Sequence, residues 1–206
     1  MQIFARLPPA DPERLRDLQD RGWVRVREPK RALMTLLVSL PFMAVTAALT
    51  IGIFTLFSAV SLEDLGFAGS SFSFSISLPL VLGILAVLVF HELFHLLLIP
   101  DVLRSDSTGV GITALGAFVY TEDVLSRSRY LLITLTPFTI ISLLFPIVLG
   151  IAGLLTPSFF FPILLNSMSS SVDLLTAILV LTQVPPGASL VSTGSITCWK
   201  KGRGTV

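Results

Sequence analysis

The chain has 206 residues, 53% of them hydrophobic and only 13% charged, with a net charge of +1. A soluble domain of this size carries about 25% charged residues, so an ordinary water-soluble globule is excluded, and no basic surface points to a nucleic-acid partner. The one cysteine, Cys198, excludes an intrachain disulfide.

Residues 1–31 are polar and basic. Asp11, Pro12 and Glu13 read as an N-cap, a proline at the first helical position and an acidic first turn. They predict a short helix to about Asp20, broken by Gly22 and followed by a short strand over residues 23–27. No early apolar run marks a cleavable signal peptide, so the first membrane helix is expected to act as its own insertion signal.

Apolar runs of about 18 residues or more are candidate membrane helices. The first covers about residues 32–60 and contains Pro41, which a membrane helix tolerates. A loop over residues 61–75, with Glu63, Asp64, Gly66 and Gly69, leads to the second helix, about 77–98, which Pro100 stops. Residues 101–129 are a polar connection whose β-branched, Gly-rich stretch 109–120 predicts a hairpin or a pair of short strands. The third helix covers about 130–155, with Pro137 and Pro146 inside, and the fourth about 158–183, ended by Pro185-Pro186-Gly187. The tail holds a further strand-like stretch, 189–199.

The expected organisation is an N-terminal segment (1–31), a membrane domain (32–184) that includes the 101–129 loop, and a tail (185–206). The fold class is mainly α: a polytopic membrane protein of four transmembrane helices with small cytoplasmic β elements. No internal repeat is visible.

Charge placement sets the expected topology. Eight of the 14 Lys and Arg residues precede the first helix. Arg104, Arg127 and Arg129 lie between the second and third, and Lys200, Lys201 and Arg203 in the tail. With four spans these three segments share one side, and the positive-inside rule puts both termini in the cytoplasm. Small size and the lack of targeting signals point to the plasma membrane.

Four strongly ionisable side chains fall inside the predicted spans: His91, Glu92, His95 and Asp173. Such groups are costly in a bilayer and mark function. His91-Glu92-Leu93-Phe94-His95 puts both imidazoles, the only two in the chain, on one helix face with a glutamate beside them. That is the H-E-x-x-H zinc pattern, in which the glutamate meets water activated by the metal.

Catalytic zinc takes three protein ligands and an open position. The third ligand is sought first in Asp173, at a depth in the fourth helix that matches the histidines. Asp101, Asp106, Glu122, Asp123 and Cys198 are its competitors, and a purely hydrogen-bonding Asp173 is the alternative. Asn166, two helical turns before Asp173, could bond a substrate carbonyl or oxyanion, or be structural. The serines around it suit close helix packing.

His91–His95 near the end of a membrane helix comes first. The Gly-rich strands ending at Tyr120 follow, then Thr136-Pro137-Phe138, Ser171-Val172-Asp173-Leu174-Leu175 and Pro185-Pro186-Gly187-Ala188. In this order, from about Gly22 onward, the chain resembles the putative zincin peptidase family of small membrane proteins. The family is similar in layout to site-2 proteases, where an aspartate on a later membrane helix is the third zinc ligand. The resemblance implies His91, His95 and Asp173 as ligands of one zinc ion and Glu92 as general base. The site-2 aspartate precedes a glycine; here Leu174 follows Asp173.

The expected function is a zinc-dependent intramembrane metalloprotease acting on a membrane protein or peptide. The substrate would be held extended along the edge of a strand in 109–120 or the tail, unless those strands pair with each other. The rivals are a non-catalytic metal-binding scaffold or partner-binding protein, and a metal or proton transporter.

Overall fold

The computed structural model describes residues 2–4, 8–57, 59–61, 63–64, 67–68, 71–72, 75–102, 104–105, 107–113 and 116–202. Gly66, Gly69, Asp106 and Arg203 lie outside them.

A short strand, β1 (Gln2–Phe4), opens the chain. Helix α1 (Pro12–Asp20) starts where expected, because the Asp11 carboxylate accepts from the backbone N–H groups of Glu13 and Arg14 at 2.9 and 3.4 Å. Gly22, at φ +82°, ends the turn that follows, and β2 (Val24–Arg25) comes next. Helix α2 (Ala32–Leu56) carries Pro41 within it. The loop beyond it holds a small pair, β3 (Phe67–Ala68) and β4 (Ser71–Phe72). Ser77 caps α3 (Leu78–Leu97), its hydroxyl accepting from the Leu80 N–H. The polar connection forms the hairpin of β5 (Thr108–Thr113) and β6 (Gly116–Thr121), then β7 (Leu125–Ser126).

The third long helix runs as α4 (Arg127–Pro137), a π-helical segment (Phe138–Leu144) and α5 (Phe145–Ile151). The fourth is not continuous. After a 3-10 turn (Pro157–Phe159) it divides into α6 (Phe160–Ser169) and α7 (Ser171–Gln183). The hydroxyls of Ser169 and Ser170 both donate to the Asn166 carbonyl, at 2.9 and 2.8 Å. Hydroxyls that bond backward in this way bend helices. The tail is a hairpin, β8 (Ala188–Thr193) and β9 (Ile196–Lys201).

The chain is mainly helical, and four of its helices are long and apolar enough to cross a membrane: Ala32–Leu56, Leu78–Leu97, Arg127–Ile151 and Pro157–Gln183. They pack with α2 against α6 and α7, α3 against α4 and α6, and α4 against α7. Small and hydroxyl side chains line the contacts. Ser39, Thr46 and Thr50 of α2 are fully buried, and Ser167 of α6 donates to the Thr46 carbonyl at 2.8 Å. Large apolar side chains such as Leu33, Leu85, Val89 and Ile151 point outward. Polar inside and apolar outside inverts a soluble fold and suits a lipid solvent.

The two predicted strand regions do not pair with each other. One sheet has the order β1-β5-β6 and the other β2-β9-β8-β7. The N-terminal segment supplies the partners that keep them apart: β1 runs parallel to β5, and β2 antiparallel to β9. Val26 shares a core with Val180, Val184, Ala188 and Leu190, which roots the second sheet on the end of α7. Gly194, at φ +55° in the β8–β9 turn, lies so close to the N-terminal segment that a Cβ there would strike the backbone of Pro9 and Ala10.

Candidate metal centre

Helix α3 brings His91 and His95 together as the i, i+4 spacing demands. Their rings meet edge to face at a centroid separation of 4.9 Å, and the two Nε2 atoms stand 3.2 Å apart. Helix α7 delivers Asp173 from its first turn. The Asp173 Oδ2 atom is 3.3 Å from His91 Nε2 and 3.7 Å from His95 Nε2. The bend at Ser170 sets the direction in which α7 leaves α6.

The three edges, 3.2, 3.3 and 3.7 Å, outline a nearly equilateral triangle of donor atoms. Donors arranged tetrahedrally about zinc, at about 2.0–2.1 Å each, stand roughly 3.3 Å apart. The triangle therefore has the size of one face of such a tetrahedron, with the fourth vertex left over. His91, His95 and Asp173 are the group of His, Cys, Asp and Glu among the described residues that can hold a cation in common.

Protonation chemistry points the same way. His95 Nδ1 lies 2.9 Å from the backbone carbonyl of Ile133 in α4. A carbonyl only accepts, so His95 Nδ1 carries the proton and its Nε2 presents a lone pair. His91 Nδ1 faces Asn166 Oδ1 at 2.9 Å, which assigns the same tautomer to His91. Two lone pairs and a carboxylate oxygen converging on one point repel each other unless a metal ion or a proton sits among them. The residues present fit zinc.

Glu92, next along α3, is partly buried, and its carboxylate lies within electrostatic reach of His91, His95 and Asp173. A cavity of about 290 Å³ opens beside the triad. His95, Thr134 and Asp173 line its membrane end, and Tyr120, Ser192 and Thr197 the sheet end. Its walls are thus β6 on one side and the end of the β8–β9 hairpin on the other. Glu28, from the segment after β2, also reaches it and accepts from the Thr197 N–H at 3.1 Å.

Among the described residues, the other candidates weighed as a third ligand lie elsewhere. Glu122 pairs with Arg14 and accepts from the Tyr120 hydroxyl. Asp123 accepts from Ser105, Ser107, Thr108 and Thr121. With Asp101 it lines a separate surface hollow of about 500 Å³ that contains no histidine. Cys198 is buried against Leu18 and Val191. Asn166 is 1% exposed, with its amide spent between His91 and, at 2.8 Å, Ser142 Oγ. It stands behind the imidazole, and the cavity is lined by other residues.

Ile133, Ser142 and Glu28 carry no sequence signal for their places at the site. A backbone carbonyl is invisible to motif reading. Ser142 is one serine in an apolar helix, although the flanking Pro137 and Pro146 hint at irregular backbone there. Glu28 lies far from the motif in the chain and reaches the cavity only through sheet pairing.

A family model described as putative zincin peptidase matches residues 84–189, about half of the chain. No curated protein and no solved structure matches.

Proposed function

Because the chain belongs to the putative zincin peptidase family, we propose that it is a zinc-dependent intramembrane metalloprotease that hydrolyses a peptide bond in or near a membrane segment. The observation that carries the proposal is the donor triangle of His91, His95 and Asp173, set on membrane-length helices beside an open cavity.

His91 Nε2, His95 Nε2 and Asp173 Oδ2 would hold one zinc ion. When bound, zinc supplies Lewis acidity, polarising a carbonyl and lowering the pKa of water to about 7. Glu92 takes the proton of the attacking water and returns it to the departing nitrogen. The Ile133 carbonyl keeps the His95 ring turned.

The substrate must be extended at the scissile bond, since a helix hides its carbonyls in hydrogen bonds. Among the described residues, β6 has β5 on one side only, and β7 covers β8 only at Ser189 and Leu190. The cavity between them therefore has strand edges available on both sides to pair with an unwound peptide. The three basic segments, 6–31, 104–129 and 200–203, would all face the cytoplasm, with four spans between them and the bilayer around them.

The test is the purified protein in proteoliposomes with a panel of single-span substrates, wild type against Glu92→Gln. Loss of cleavage by about 10²–10⁴-fold with zinc retained supports Glu92 as the base. Equal cleavage by the variant removes it from the reaction. Retained zinc with no cleavage of any substrate by wild type favours the scaffold reading instead.

A further inference from the structure

The buried chain Ser142, Asn166 and His91 crosses three helices. His91 is on α3, Asn166 on α6, and Ser142 on the π-helical segment of the third long helix. The links are 2.9 Å from His91 Nδ1 to Asn166 Oδ1 and 2.8 Å from Asn166 Nδ2 to Ser142 Oγ. Ser142 is 0% exposed and Asn166 is 1% exposed, so bulk water does not compete for these bonds.

An amide has two ends of similar shape and opposite function. If Asn166 turned its nitrogen toward His91, Nδ1 would have to accept. The ring proton would then move to Nε2, the atom that faces Asp173 and His95. A protonated Nε2 has no lone pair to give. Asn166 with its oxygen toward His91 therefore defines the ring state that can ligate a metal. Ser142 anchors the amide in place by accepting from its nitrogen.

The third long helix adds an independent observation. A π-helical turn inserts an extra residue and rotates the side chains after it, and such turns are frequent at functional sites. Here it spans Phe138–Leu144 and carries the hydroxyl that meets Asn166. His95 receives its proton acceptor from the same long helix, one segment earlier, at Ile133.

The geometry points to Asn166, anchored by Ser142, as the positioning residue that favours the metal-binding tautomer of His91, a role that rests on the zinc reading above. The carboxamide acts on the far side of the imidazole from the substrate, so its effect is on zinc affinity and not on substrate recognition. Losing an outer partner of a metal-bound histidine costs roughly 10–100-fold in metal affinity.

The test is zinc affinity of the full-length protein in detergent, measured by chelator competition, for Asn166→Leu, Asn166→Asp, Ser142→Ala, the Ser142→Ala/Asn166→Leu pair and Ser167→Ala. Asn166→Leu is expected to bind zinc about 10–100-fold more weakly. Asn166→Asp is expected to stay near wild type, because its carboxylate still accepts from Nδ1 and the Ser142 hydroxyl can turn to donate. Ser142→Ala is expected to fall between them, and the double variant to lose no more than Asn166→Leu alone.

Ser167→Ala removes a neighbouring buried hydrogen bond of α6, to the Thr46 carbonyl, and should lower thermal stability while leaving zinc affinity unchanged. Wild-type affinity in Asn166→Leu, equal loss in Asn166→Asp and Asn166→Leu, or equal loss in Ser167→Ala would overturn the assignment. Zinc binding without proteolysis sinks the hydrolytic reading and leaves this one standing. A wild type that binds no zinc sinks both.

Discussion

His95 Nδ1 meets the carbonyl oxygen of Ile133 at 2.9 Å, across the contact between α3 and α4. A helix carbonyl about one and a half turns before the π-helical segment thus fixes the tautomer and rotation of an imidazole on another helix. The cost of turning that ring is built into the packing of two helices, so the donor triangle is organised before any ion enters. The triad is expected to behave as one unit toward metal.

His95→Ala and Asp173→Ala should each reduce bound zinc from about one per chain to near zero, since a site left with two protein ligands is incomplete. Asp173→Asn should fall between wild type and Asp173→Ala, because its amide oxygen reaches the same point without the charge. Metal content by atomic absorption after dialysis measures this. Full zinc in Asp173→Ala would remove Asp173 from the site.

A second relationship ties the two sheets together. The Tyr120 hydroxyl, at the cavity wall, accepts from the Gly194 N–H at 2.7 Å and donates to Glu122, which pairs with Arg14. The Gly194 bond is buried. Tyr120→Phe should therefore cost about 1–3 kcal/mol, the penalty of a buried donor left without a partner. Gly194→Ala should cost at least as much, since its positive φ and the adjoining Pro9–Ala10 backbone both oppose a side chain. Arg14→Ala should cost only about 0–1 kcal/mol, because its ion pair is partly in water. Thermal unfolding in detergent ranks the three, and a larger loss in Arg14→Ala than in Tyr120→Phe would refute this account.

Much of this was legible in the sequence because the physics behind it is local. Four apolar runs, the Asp11 cap, the Gly22 break and the i, i+4 histidines all declare themselves within a few residues. What was not legible depends on partners distant in the chain. β1 lies in a segment that reads as polar and basic, and only its parallel pairing with β5 makes it a strand; β2 falls within the strand expected over residues 23–27, but nothing local names β9 as its partner. The fourth helix reads as one apolar run. Its bend at Ser170 comes from two hydroxyls choosing the Asn166 carbonyl, a choice that helix propensity does not register. Asn166 was singled out as polar and out of place. In the structure its amide is bonded to His91 and Ser142 and does not line the cavity, contacts that no local sequence feature announces.

The topology can be read with single cysteines. In a Cys198→Ser background, Lys30→Cys before α2 and Thr156→Cys between the third and fourth helices both present exposed positions. If four spans cross the bilayer with the basic segments together, an impermeant thiol reagent added outside intact cells should label position 156 and spare position 30 until the cells are opened. Labelling of both from outside would break the proposed arrangement.

Two acids outside the spans make opposite predictions for stability against pH. Burial pushes the Glu28 carboxyl above its usual value, and the bonds from Thr197 and the charge of Arg25 do not fully offset it. A raised acid stabilises the fold fully below the unfolded value, about 4.3, and that contribution is lost as pH rises through the folded value. Glu28→Gln keeps an acceptor for the Thr197 N–H and does not ionise. Its melting temperature should therefore gain on wild type as pH rises from about 4 to 7. Burial also acts to raise Asp123, but the hydroxyls of Ser107, Ser105, Thr121 and Thr108 outweigh it and hold that carboxyl below its usual value. Its contribution is present above about 3.9 and is lost as pH falls through the folded value. Asp123→Asn should therefore trail wild type most at neutral pH, and the gap should close in acid. Melting curves of both variants from about pH 3 to 8 decide the matter. Differences from wild type that stay flat with pH would mean that neither carboxyl is perturbed by the fold in the way its surroundings imply.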